Sequence, residues 1–326
     1  MAGARADHGT YAVPKRLLVA VGGNAIHPGT SDGTVDQQLA IAAHTGSCLL
    51  PIMSLDNELI ITHGNGPVVG KILMRQALAR ARIPPMSMDI CVAHSQGGIA
   101  YILMQACENT LRTHGSSRHV VCLLTQVEVD PDDAAFATPT KPVGFFYAED
   151  EAREISTALG WQMCEDAGRG WRYVVPSPMP KHIVDISLIE TVAKNGAVVI
   201  AGGGGGIPVV REANGTRRGV DAVIDKDLSS ALLANVLDVK VMMILTGVTN
   251  VSVNYATPEQ RNLHHTTLAE ITALHEAGEF ATGSMGPKVE AAIRFLTGGG
   301  QRAVIAHLDD AEAALYGNAG TQILAG

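Results

Sequence analysis

Positive charge is scarce in this chain of 326 residues. Lysine and arginine number 24 against 32 acidic residues, a formal charge of −8, so no basic face is expected to hold a nucleic-acid backbone. Long apolar runs are also missing. The first, Leu17–Val21, is five residues long and breaks into glycine, too short for a signal-peptide core. The uncharged run Val241–Pro258 carries Thr, Asn and Pro and reads as a strand with its loops, not a membrane span. The five cysteines (Cys48, Cys91, Cys107, Cys122, Cys164) are widely spaced and form no C-x-x-C pair. They read as reduced, mostly buried thiols of a cytoplasmic protein.

Several catalytic signatures are absent as well. No G-x-x-x-x-G-K-[ST] occurs, since Lys71 after Gly70 is followed by Ile72. Gly64-Asn65-Gly66 with Gly70 approaches a dinucleotide turn, but no ribose-binding acid follows at the expected distance. Twelve histidines form no H-E-x-x-H and no Cys/His cluster, so a structural metal is not expected and metal ligands stay unassigned. The G-x-S-x-G spacing of Gly29-Thr30-Ser31-Asp32-Gly33 does not follow directly on a strand run, so it is not read as a nucleophile elbow.

What is present is a repeated local pattern. Three apolar runs end in glycines and pass into helix-like segments: Leu17–Val21 into Gly22-Gly23-Asn24, Leu59–Thr62 into His63-Gly64-Asn65-Gly66-Pro67, and Ala197–Ala201 into Gly202–Gly206. In a parallel α/β sheet these turns fall on one carboxyl edge and converge on one crevice. Bare backbone amides and helix N-termini there favour an anion, which makes a phosphate site the expectation.

Strand runs alternate with helical patterns along most of the chain, which predicts a largely parallel α/β sheet. Val120–Thr125, Val241–Thr246 and Ala303–Ala306 add further strands. Pro67 and Pro287 are read as the first residues of two helices, where the missing N–H costs nothing. Residues 1–13 read as a disordered extension and 14–326 as one domain. Residues 126–181 break the rhythm, and seven of the thirteen aromatics fall there. That concentration predicts an inserted subdomain with a small core of its own.

Three lysines are candidates for phosphate binding. Lys288 lies in the first turn of a predicted helix, where a cation opposes the helix dipole unless an anion is near. Lys226 stands between Asp225 and Asp227, which can orient it, cap a helix or hold Mg²⁺. Lys141 sits in Pro139-Thr140-Lys141-Pro142, stiffened by two prolines on the insert.

Taken in order, VAVGGNAI from Val19, THGNGPVVG from Thr62, SQG from Ser95, PTKPVG from Pro139, GGGGGIPVV from Gly202, GVDAVIDKDL from Gly219, ILTGVTNVSVNY from Ile244 and GSMGPKVEAAI from Gly283 resemble the carbamate kinases of the amino-acid-kinase superfamily. The resemblance implies a three-layer α/β/α sandwich around a mainly parallel eight-stranded sheet, with a protruding subdomain, as a homodimer. It implies reversible phosphoryl transfer between ATP and carbamate, giving ADP and carbamoyl phosphate, with Mg²⁺. By the same resemblance Lys141, Lys226, Lys288 and Asp225 are catalytic. Gly22, Gly23, Asn24, Gly64, Asn65, Gly66, Ser95, Gln96, Gly97, Gly203 and Gly204 hold the substrate and transferred group. Lys226, Asp227, Thr246, Gly247, Asn254, Tyr255, Met285 and Lys288 hold the nucleotide. Many members of the superfamily carry lysine where this chain has Ala20, and Lys141 stands where the carbamate-kinase branch supplies that charge.

Three positions depart from the pattern: His94, expected buried and hydrogen-bonded, Ala201 and Thr249. Two other readings are open on the sequence, a kinase of another small carboxylate such as an N-acetylated amino acid, and a nucleotide sensor without turnover.

Overall fold

A computed structural model of the chain describes residues 11–23, 33–166, 168–281, 283 and 285–326. Asn24 and residues 1–10 of the expected extension lie outside them. The Tyr11 ring lies 4.1 Å from the Arg302 guanidinium.

Eight strands form the main sheet in the spatial order His265–Thr267, Thr321–Leu324, Arg302–His307, Val241–Thr246, Arg16–Val21, Glu58–His63, Val198–Ala201, Val120–Leu123. Every neighbouring pair is parallel except Arg302–His307 with Thr321–Leu324. The expected mainly parallel sheet is present. Its central strands are continuous apolar runs because both faces are covered, and Leu17 to Val21 are wholly buried.

Alternation sorts their side chains into two apolar layers. Leu18, Ala20, Ile60, Val199 and Ile244 pack with Ala231, Leu233, Ile271, Val289 and Phe295. These come from the helices Lys226–Val236, Leu268–Glu276 and Gly286–Thr297. Leu17, Val19, Ile61 and Leu245 face the other way, onto Leu49 and Ile52 of helix Val35–Met53 and Leu103 and Leu111 of helix Met88–Thr113. Pro67 and Pro287 each sit second in their helices, Gly66–Ala79 and Gly286–Thr297, one position later than expected but still in the first turn, where the missing N–H has no helical partner to lose.

Residues 126–181 divide between two smaller sheets. Gln126–Val129 and Pro180–Ile183 join Ile207–Arg211 and Arg217–Gly219 in a four-stranded sheet. Between them, Lys141–Tyr147, Trp171–Val175 and Met163–Glu165 form an antiparallel three-stranded sheet beside helix Glu149–Leu159. Trp161 stacks on Tyr173 with centroids 4.4 Å apart, and the Arg169 and Arg172 guanidinium groups lie 5.0 and 4.9 Å from the centre of the Phe146 ring. Its apolar side is shared: Val143 and Val175 are buried together with Val69, Leu73, Cys91 and Val92. That packing ties the strand bearing Lys141 to helix Gly66–Ala79.

The tie requires glycine. A Cβ on Gly70 would stand 2.0 Å from the Gly144 Cα, so the helix and the strand touch backbone to backbone. All five cysteines are free thiols, but fewer are buried than the sequence suggested. Cys91 and Cys107 are buried, Cys48 and Cys122 half-buried, and Cys164 is exposed on the edge strand of the small sheet.

Two glycines allow a direct check of this packing. Gly70→Ala is expected to destabilise the protein by about 1–3 kcal/mol through overpacking. Gly98→Ala meets nothing within 4 Å in the middle of a helix, so it should stabilise by up to about 1 kcal/mol. Urea unfolding of the two variants measures both signs.

Candidate active site

Strand register brings the glycine turns together. Val21 pairs with His63 on one side and Leu245 on the other, and Ile61 pairs with Ile200, so each strand delivers its turn to the same edge. The Gly22 N–H donates to Leu245 O at 2.8 Å and the Gly64 N–H to Val21 O at 3.1 Å. A Cβ on Gly64 would stand 3.0 Å from the Gly23 nitrogen, so the first two turns are in contact.

The third turn closes the floor. Gly203 and Gly204 lie in a tight turn in which a Cβ would stand 2.3 Å from His63 Nε2 and from Asn65 Nδ2 respectively. Any larger residue there displaces one of those side chains. Asn65 stands at the N-cap position of helix Gly66–Ala79 without capping it. Its Nδ2 donates instead to Ser95 Oγ at 2.8 Å, and Ser95 Oγ donates to Val92 O at 2.7 Å. Gln96 Nε2 donates to Gly203 O at 2.8 Å, and Gln96 Oε1 accepts from Thr125 N at 2.7 Å. Ser95 and Gln96 are thus buried props for the crevice, while Gly97 lies half-buried beside Leu124.

The three candidate lysines meet at two aspartates. Asp225 caps helix Lys226–Val236, its Oδ1 accepting from the N–H groups of Asp227 at 2.9 Å and Leu228 at 3.3 Å. Its Oδ2 accepts from Lys141 Nζ at 2.7 Å, so the three-stranded sheet reaches across to the helix. The Lys226 ammonium donates to Asp227 Oδ1, and Lys288 Nζ lies 3.4 Å from Asp227 Oδ2. Asp227 is the anion that a lysine in the first turn of helix Gly286–Thr297 called for. Three ammonium groups against two carboxylates leave one positive charge. The stem of Lys226 runs 3.7 Å from where a Gly64 Cβ would stand, which joins the cluster to the glycine turns.

Burial shapes the charges here. It opposes ionisation of Asp225, but the Lys141 and Lys226 ammonium groups outweigh it and hold the carboxyl well below its ordinary range. Burial pushes Lys226 down from the usual lysine value, and Asp227 pulls it back. A cleft of about 740 Å³ opens beside the cluster, lined by Lys141, Asp225, Leu228, Gly283 and Pro287 and by Cys164, Asp166 and Arg169 of the small sheet and its turn.

The remaining nucleotide-side candidates are spread more widely. Thr246 is half-buried against Gly22, and Gly247 after it is exposed. Met285 is half-buried just before helix Gly286–Thr297. Asn254 has a left-handed backbone, φ 52°, with its N–H donating to Glu279 Oε2 at 3.1 Å, and Tyr255 is 72% exposed.

One expectation fails and two residues were missed. His94 is exposed, not buried: the inward stripe of its helix is Cys91, Val92, Ser95, Gln96 and Ile99, and position 94 lies off it. Ala201 is buried in the sheet and Thr249 is exposed. Thr125 was not singled out, yet its Oγ1 accepts from the Gly202 N–H at 2.9 Å. Nor was His63, whose ring is wholly buried with Nε2 unpartnered and Nδ1 3.1 Å from Gly64 O. Burial lowers its pKa to about 4, so it is neutral at pH 7 beside the lysines. The only sequence signal was its place between a strand and a glycine.

A model described as the amino acid kinase family matches residues 15–307, and the chain belongs to that family. Within it, the chain is similar to the carbamate kinase of Pyrococcus horikoshii, 45% identical over 313 residues that span 95% of this chain and 99% of that protein. It is 42% identical to the carbamate kinase-like protein YahI of Escherichia coli, over 94% of this chain and 98% of that one. Among solved structures, the carbamate kinase from Giardia lamblia bound to citric acid matches with a TM-score of 0.91 at 43% identity, covering 95% of this chain and 98% of that one. The same enzyme bound to AMP-PNP matches at 0.87 and 44% identity, with the same coverage.

Neutral His63 gives a pH dependence with a definite sign. Its folded pKa, about 4, lies below the ordinary 6.5, so the unfolded chain binds the extra proton first. Stability from this group is complete above pH 6.5 and is lost as pH falls toward 4, by up to about 3 kcal/mol. Chemical unfolding between pH 7 and 4 should show His63→Gln losing correspondingly less than the parent.

Proposed function

We propose that this chain is a carbamate kinase, transferring a phosphoryl group reversibly between ATP and carbamate. The observation that carries this is the meeting of Lys141, Lys226 and Lys288 on Asp225 and Asp227 beside three glycine turns. Carbamate is already an anion and requires no general base. The obstacle is repulsion between a carboxylate and a polyphosphate, so catalysis rests on positioning and charge neutralisation.

Each group then has a task. Lys226 and Lys288 bind nucleotide phosphates while Asp227 keeps both ammonium groups in place. Lys141, held by Asp225 from the inserted subdomain, turns to the transferred group. The amides of Gly22, Gly23, Gly64 and Gly66, with Asn24 in the sequence between the first turn and its helix, receive the phosphoryl oxygens. Gly203 and Gly204, backed by Ser95, Gln96 and Gly97, shape the carbamate side. Thr246, Gly247, Asn254, Tyr255 and Met285 border the nucleotide.

Mg²⁺ fits this site as an ion carried by the nucleotide. The crevice offers hard carboxylate oxygens, but Asp225 and Asp227 are already engaged by lysines, so most of its ligands must be phosphate and water. Asp225, which lines the cleft, is the residue that would hold it. When bound, the ion neutralises charge on the phosphate oxygens. A homodimer, a cytoplasmic setting and a role in arginine breakdown that yields ATP from carbamoyl phosphate rest on the family resemblance.

Lys141→Ala, Lys226→Ala and Lys288→Ala should each lower kcat by at least ~100-fold, the scale of losing one preorganised electrostatic donor. Initial rates of ATP formation from ADP and carbamoyl phosphate measure this. Three folded variants with near-parental turnover would remove the lysines from the mechanism.

A further inference from the structure

The far side of the sheet carries a second cluster. His44 and Cys48 are one turn apart on helix Val35–Met53, which packs on the face opposite the lysine-bearing helices. Asp309 reaches them from the short turn Leu308–Asp310, 265 residues away in sequence from His44. His44 Nε2 lies 2.7 Å from Asp309 Oδ1, and Cys48 Sγ is 3.5 Å from each of those atoms. Among the described residues this is the group of His, Cys and acidic side chains whose donor atoms all fall within 4.8 Å of one another.

We propose that His44, Cys48 and Asp309 form a Zn²⁺ site, distinct from the crevice. One imidazole, one thiolate and one carboxylate make a mixed N, S and O set that suits zinc; Mg²⁺ and Ca²⁺ take oxygen ligands. The spacing also fits. Tetrahedral zinc with bonds of about 2.0–2.3 Å separates its ligands by roughly 3.3–3.7 Å. Both sulfur distances already fall in that range, and only the His44–Asp309 hydrogen bond must open, by somewhat under about 1 Å, between two exposed side chains. Three protein ligands leave a fourth position for water.

The support around the cluster matches the same use. His44 and Cys48 stand on a 19-residue helix whose neighbouring Leu49 and Ile52 are fixed in the core. The second oxygen of Asp309 lies 3.6 Å from His307 Nδ1, and that nitrogen accepts from the Asp309 N–H at 3.2 Å, which orients the turn. On binding, the Cys48 thiol exchanges its S–H bond for an S–Zn bond and releases a proton to solvent. The ion then links helix Val35–Met53 to the C-terminal part of the chain. The site could not be seen as a sequence cluster because its carboxylate comes from a distant turn.

The test is titration of the tag-free, metal-stripped full chain with Co²⁺ and then Zn²⁺. One Co²⁺ per chain should bind with tetrahedral absorption and a thiolate-to-cobalt charge-transfer band, both lost on adding Zn²⁺. Cys48→Ser should abolish the charge-transfer band, and Asp309→Asn should weaken zinc at least about tenfold, the smaller effect reported for removing even an outer partner. Zn²⁺ should raise the unfolding midpoint of the parent and leave that of Cys48→Ser unchanged, circular dichroism showing that the variant is folded. Absence of the cobalt–thiolate band in the parent, or its persistence in Cys48→Ser, would overturn the proposal. The trio would then be only a hydrogen-bonded pair beside a thiol.

Discussion

Two aspartates at the start of one helix govern the arrangement of this molecule's charges. Asp225 caps helix Lys226–Val236 with one oxygen and holds Lys141 of strand Lys141–Tyr147 with the other. Asp227 receives Lys226 from its own helix and Lys288 from the neighbouring one. Without these carboxylates the lysines would repel one another and oppose two helix dipoles. With them, three cations wait in fixed positions with one charge in excess, so a polyphosphate can replace internal partners with little rearrangement of the protein.

The fold supplies what that arrangement needs. Parallel strands deliver Gly22, Gly64 and Gly202 to one edge, and helix–helix packing under Val289, Ala292 and Phe295 sets the two lysine-bearing helix starts side by side. The backbone contact between Gly70 and Gly144 sets the distance from which Lys141 reaches Asp225. Neutral His63 fills the space beneath the glycines without adding a charge that would compete with the lysines.

Much of this was legible because it is local. Leu17–Val21, Leu59–Thr62 and Val241–Thr246 read as strands since a strand covered on both faces must be an unbroken apolar run. His265–Thr267 and Thr321–Leu324 were not recognised: the edge strand is polar throughout, its inner neighbour opens with Thr321-Gln322, and both depend on pairing for their identity. The aromatic concentration set residues 126–181 apart, but their division between two sheets depends on Ile207–Arg211, far along the chain. The lysines were visible as candidates, Lys226 between two acids, Lys288 in a helix first turn and Lys141 between prolines. Which lysine pairs with which aspartate, and the burial of His63, are set by distant contacts. His94 was misjudged because helical phase, not residue type, decided its exposure.

The central claim is that the preset lysine cluster moves a phosphoryl group between nucleotide and carbamate. The most direct measurement mixes the purified parent protein with ADP, Mg²⁺ and carbamoyl phosphate and follows ATP. The account expects ATP to form in step with carbamoyl phosphate consumed, and to stop when either substrate is withheld. Tight nucleotide binding with no ATP formed, or transfer only from a different acyl phosphate, would contradict it.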